Sequence, residues 1–172
     1  MSPTEPHEIR FEGVRVRVDS DKSYEELVAA LLADIGTDPP AISDFAATTL
    51  SDWESFSGEV SRHLGPSDFM LMHLIDHGGW LPSAGMNRKA LRVILGNPLI
   101  AITMIRHDLT AGLFAPVELL IADEAGGRSS LTYVKPSSLM VIEDNPPLRE
   151  AALALDGKLA ALTMKVTAPE VN

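Results

Sequence analysis

The chain is expected to fold as a single α+β domain of two layers, with helices packed on a sheet that contains a hairpin. Three observations carry this. Short apolar runs of strand length and amphipathic stretches follow one another in the order β, α, α, β, β, α, β, β, α. Two capping boxes, Ser23 with Glu26 and Ser51 with Glu54, each open an apolar repeat of helical spacing. Asp123 to Gly127, with two glycines between alternating runs, is the hairpin loop.

Taken in order, residues 9–18 read as a strand, with Ile9 and Phe11 on one parity and Val14, Val16 and Val18 on the other. A bulge at Gly13 would bring both sets to one face. Leu27, Val28, Leu31, Leu32 and Ile35 then recur at helical spacing and stop at Gly36. After Pro39 and Pro40 a second polar and apolar stretch starts at Ser43. Trp53, Phe56, Val60 and Leu64 predict a helix ended by Gly65 and Pro66. Residues 68–76 suit a buried strand better than a helix, because the segment is only nine residues long and is bounded by Pro66 and the Gly78–Gly79 pair. Gly78 to Gly85 reads as a loop and Leu91 to Leu95 as a buried strand.

Asn97 is a good N-cap with Pro98 at the first helical position, starting a helix that runs to about His107. Leu99, Ile100, Ile102, Met104 and Ile105 make that helix apolar all round. Such a helix needs cover on more than one side, so a partner subunit is expected on Leu99 to Ile105. Val117, Leu119 and Ile121 alternate in the next strand, and Ser129 to Val134 returns with Leu131 and Tyr133 opposite in facing to Thr132. Pro136 to Ser138 turns the chain and Leu139 to Ile142 reads as a further short strand. Leu148, Ala152, Leu155, Leu159 and Leu162 form one stripe of the last helix, which Asn145, Pro146 and Pro147 open. One domain is expected over residues 1–172, with 8–65 its N-terminal strand and helices and 68–162 its core.

Composition narrows the function classes. A net charge of −10 disfavours nucleic acid and anionic lipid, which need basic surfaces. Aromatics are too few, at 5%, for a base-stacking platform. With no cysteine there is no thiolate zinc site, disulfide or cysteine nucleophile. The N-terminus lacks an apolar signal core and no run reaches the roughly 20 residues that span a bilayer, so a soluble, cytoplasmic protein without a membrane association is expected. No dinucleotide loop, P-loop or nucleophile elbow occurs, and no cofactor is assigned.

Two clusters stand out. His73, Asp76 and His77 form H-x-x-D-H, but on a strand the two histidines lie about 13 Å apart, too far to share a metal. No metal is therefore assigned. Of the 24 acids, 15 fall at or before Asp76 and none lies between it and Asp108. That gap holds Arg88, Lys89, Arg92 and Arg106 and surrounds Gly96, Asn97 and Pro98. A cation excess beside a helix N-terminus favours an anionic group. Asp76, His77, Arg92 and Asn97 are accordingly the candidate ligand-binding residues, and a small anionic metabolite the candidate ligand. Two other readings compete: a His77 and Asp76 acid–base enzyme, a hydrolase or isomerase, which requires Asp76, His77 and Asn97 in one cavity, and a purely structural protein. For Asn97 the simpler role is the helix cap, and for Asp76 a bond to the turn that follows it.

The segments FMLMHLIDHGGWL, LRVILGNPLIAITMIRHDLTAGLFAPVELLIADEAGG, LTYVKPSSLMVIEDNPPL and ALDGKLAAL resemble the domain of unknown function 302 family. The resemblance covers residues 68–162, and residues 8–65 are similar to the N-terminal part of a longer subgroup. It implies an α+β fold with a mixed sheet and a homodimer. It implies no established activity and no catalytic residue.

Overall fold

A computed structural model describes residues 6–40 and 52–169. Five strands form one sheet: β1 (Arg15–Ser20), β2 (Met70–Asp76), β3 (Ala90–Gly96), β4 (Val117–Asp123) and β5 (Ser129–Val134), in the order β1-β5-β4-β3-β2. All four pairings are antiparallel, which corrects the mixed sheet implied by the resemblance. The reason is the path: β2 to β5 run as a meander, and β1 enters at the far edge against β5. The helices are α1 (Tyr24–Ile35), α2 (Trp53–His63), α3 (Pro98–Ile105), α4 (Pro136–Met140) and α5 (Pro146–Thr167).

One face of the sheet is the core. Leu91, Val93 and Leu95 of β3, Val117, Leu119 and Ile121 of β4, and Leu131 and Tyr133 of β5 are buried against Leu27 and Leu31 of α1 and the Leu148 to Leu162 stripe of α5. Each large side chain so buried is worth about 1.5–3 kcal/mol. Alternation then sends Arg92, Glu118, Leu120 and Thr132 to the opposite face, where they are exposed or half exposed. The two layers thus leave one sheet face for other uses.

Several expectations from sequence match the structure closely. Ser23 and Glu26 form the reciprocal capping box of α1. The α5 stripe is buried throughout. Other expectations are corrected. The first strand starts at Arg15 rather than residue 9, since β5 ends opposite it at Val134 and the chain then turns away through Lys135 and Pro136. Ile9, Phe11 and Val14 stay about half exposed. Leu139 to Ile142 is not a strand. Residues 136–140 coil as α4, with Pro136 at its start and Ser137 held by Asp156 through its N–H (3.0 Å) and hydroxyl (2.5 Å). The cap of α2 is Asp52, which accepts from Ser55 N at 2.8 Å, while Ser51 and the stretch from Ser43 lie outside the described residues.

The apolar helix α3 is covered from inside the chain. It packs against α5, α2 and the 3-10 turn Leu109–Leu113, so its second cover does not require another subunit. Met104 is fully buried, whereas Leu99, Ile100, Ile102 and Ile105 are half buried.

Candidate functional site

The open sheet face carries a hollow of about 640 Å³, within the range of about 300–1,000 Å³ that small-molecule sites occupy. Its floor is Glu118 and Leu120 of β4 with Thr132 and Val134 of β5. Arg92 of β3 and Arg15 of β1 flank it, Leu113, Phe114 and Leu139 close one end, and His77 stands at the other. Two of the four sequence candidates, His77 and Arg92, therefore share one cavity. His77 is placed there by the end of β2, where its N–H bonds Ala90 O at 2.9 Å, and its ring meets Trp80 edge-on at 5.9 Å between centroids.

Asp76 points the other way. It pairs with Leu91, a core residue, and cross-strand partners share a face. Its charge reaches Tyr24 of α1. Partial burial first, then Asp76, Glu25 and Asp123, push the Tyr24 phenol above its ordinary value. The Asp76 carboxylate accepts from Gly79 N at 3.2 Å, so it holds the turn after β2. Asp76 and His77 do not face each other.

Asn97 is built into the fold. Its Oδ1 accepts from Leu99 N at 2.8 Å, capping α3, and its Nδ2 donates to Asp68 O at 2.9 Å. It touches a separate apolar hollow of about 160 Å³, small for a metabolite, with both ends of its amide already bonded. Gly96 has an equally structural reason, since a Cβ there would come within 3.0 Å of Pro116 Cβ, across a cis Ala115–Pro116 bond. The G-N-P junction is thus a packing contact, a cap and a rigid first helical residue in sequence. Because Asp76, His77 and Asn97 do not line one cavity, the arrangement required for the acid–base enzyme is not present.

Three of the four cations of the basic stretch are paired with acids in three dimensions, while Arg106 donates to the Ile102 carbonyl at 3.1 Å. Arg92 makes a two-pronged pair with Glu118, one arm at 3.0 Å; Arg88 pairs with Asp123 at 2.9 Å; Lys89 pairs with Glu25 and lies 5.7 Å from the centre of the Tyr24 ring. Burial works to raise the Asp123 carboxyl. Hydrogen bonds from Arg88 and from Lys89 N outweigh it and hold the group below the ordinary carboxylate value. Arg15, the second arginine of the hollow, has no ion-pair partner among the described residues. Arg15, Glu118 and Thr132 were not candidates from sequence. The available signal was the outward row of β4 and β5, where Leu120 and Val134 alternate with polar residues on a face that should be wet.

The fold and the hollow define a two-layer α+β protein whose candidate site is the face of an antiparallel sheet that the described helices leave open. The chain belongs to the family described as domain of unknown function DUF302, whose model matches residues 45–166. Its fold is similar to the crystal structure of the uncharacterized conserved protein DUF302 from Bacillus stearothermophilus, with 19% identity, a TM-score of 0.61, and coverage of 88% of this chain and 97% of that one. No curated protein matches this chain. Among the described residues no helix is long and apolar enough to cross a membrane.

Proposed function

We propose that the protein is a soluble, cytoplasmic binding or sensing module for a small molecule, seated on the open sheet face. The observation that carries this is the 640 Å³ hollow itself, which brings His77 and Arg92 from neighbouring strands over a floor that includes exposed Leu120. Asn97 and Asp76 support the frame around it rather than the ligand.

A thermal-shift screen of small metabolites tests the proposal. A stabilised melting point that disappears in Leu120→Trp, which fills the hollow, supports it. Silence across the screen, or shifts that survive the filled hollow, would refute it.

Self-association belongs to the same proposal. The half-buried row Leu99, Ile102 and Ile105 on α3 is the face proposed for a second copy, supported by its apolar character and by the homodimer that the family resemblance implies. Ile102→Glu should convert a dimer to a monomer in sedimentation, and an unchanged mass removes that face.

A further inference from the structure

We infer that the ligand of the open sheet face is an amphipathic monocarboxylate, its carboxylate on Arg15 and its apolar part along Leu113, Phe114, Leu120, Val134 and Leu139. This rests on the proposal that the hollow binds a small molecule. Two observations select the class, and they are independent of each other.

The first is charge. The permanently charged side chains of the lining are Arg15, Arg92 and Glu118, which sum to one positive charge. Glu118 takes both arms of Arg92, so a ligand carboxylate there would displace an existing pair and face the Glu118 oxygens. Arg15 has no ion-pair partner among the described residues, and a carboxylate matches its planar fork. One available cation beside one fixed anion favours a single negative charge over a phosphate dianion.

The second is the rest of the lining. Most of its exposed area is apolar, and it includes Leu113, 79% exposed, and Leu120, 39% exposed. Leu113 sits with Phe114 and Leu139 at one end of the hollow, and Leu120 continues the apolar surface along its floor toward His77. Arg15 pairs with Val134, so its side chain leaves the sheet on the same face and beside this apolar end. Head and tail therefore have adjacent, chemically distinct seats. A wholly polar metabolite would leave the leucines wet, and a neutral hydrocarbon would leave Arg15 unused.

Isothermal titration below the micellar range separates the alternatives, using octanoate, decanoate and dodecanoate, with decanol and decyl phosphate as comparators. The expected result is saturable binding at one site per chain, tightening by roughly tenfold for every two methylenes until the hollow is full. Decyl phosphate should bind more weakly than decanoate. Arg15→Gln should weaken decanoate by about tenfold or more while leaving decanol unchanged, and Arg92→Gln should do much less. Arg15 is exposed on an edge strand, so its substitution leaves the core intact, which far-ultraviolet circular dichroism checks.

Equal binding of decanoate and decanol, or decanoate binding indifferent to Arg15→Gln, overturns the carboxylate assignment and leaves the hollow as a binding site. No binding by any of these amphiphiles, alongside metabolite shifts abolished by Leu120→Trp, overturns the ligand class alone. No binding in either experiment overturns both.

Discussion

Replacing Asn97 by alanine should lower stability by about 2 kcal/mol, and the size of the loss comes from two bonds. The first is the cap to Leu99 N at 2.8 Å, worth roughly 1 kcal/mol in comparable helices. The second is Nδ2 to Asp68 O at 2.9 Å, a net hydrogen bond of roughly 0.5–1.5 kcal/mol. For a chain of this size the sum corresponds to a melting point lower by about 4–8 °C. Urea denaturation with a constant slope gives the free energy directly.

Asn97→Asp is the sharper experiment. Aspartate is as good a cap as asparagine, so a residue acting only as a cap would tolerate it. Here the second oxygen would replace a donor and face the carbonyl of Asp68, at a position only 8% exposed. The variant should therefore lose as much stability as alanine at neutral pH. Its new carboxyl has a raised folded-state pKa, so the folded state binds more protons than the unfolded one. The deficit relative to wild type is full at neutral pH and narrows as pH falls through that raised value toward about 4, where a protonated carboxyl can donate. If the aspartate variant stays within about 0.5 kcal/mol of wild type at neutral pH, the bond to Asp68 is not holding the junction. If the alanine variant does so too, the junction is not structural at all.

Three further outcomes follow from the same frame. Gly65→Ala would place a Cβ 1.6 Å from the backbone oxygen of Asp34, so a loss of about 3 kcal/mol or more is expected in denaturant unfolding. The Asp34 side chain is 3% exposed and accepts from Lys165 Nζ (2.6 Å), Ser67 Oγ (2.9 Å) and Ser67 N (3.2 Å). Asp34→Ala should cost about 2–3 kcal/mol by stranding the Ser67 donors, and Lys165→Met about as much, because it leaves the buried Asp34 carboxylate without its cation. Asp123, held below the ordinary carboxylate value, adds stability that is whole above about pH 5 and is lost as pH falls through its folded value. Asp123→Asn should therefore flatten the acid limb of the stability curve, measured by urea midpoints between about pH 3 and 6.

What was legible in the sequence was local. The α1 capping box, the α5 stripe and the two-glycine loop before β5 each declare themselves within a few residues, because caps, helical periods and positive-φ glycines act at short range. Gly126 and Gly127 indeed have φ of 77° and 76°. What was misread depended on partners far along the chain. Whether residues 9–14 join the sheet is decided by where β5 stops, and whether residues 136–140 coil is helped by Asp156 on α5. The basic stretch is real as sequence, but three of its four cations are paired with acids that lie far along the chain: Glu118, Asp123 and Glu25 stand 26, 35 and 64 residues from their partners.

The same distinction relocates the site. In the G-N-P junction cap, proline and apolar helix are adjacent in sequence, yet Oδ1 and Nδ2 of Asn97 are each bonded within the fold and Gly96 is set by its contact with Pro116. A side chain whose amide is fixed at both ends by the fold is held as a structural link first. Arg15 is the opposite case: an ordinary residue in an ordinary strand, without an ion-pair partner among the described residues, brought by β1–β5 pairing to the edge of a largely apolar hollow. Recognition needs groups the fold has left unsatisfied, and among the charged residues described in the hollow that group is Arg15, on the sheet face away from α1 and α5.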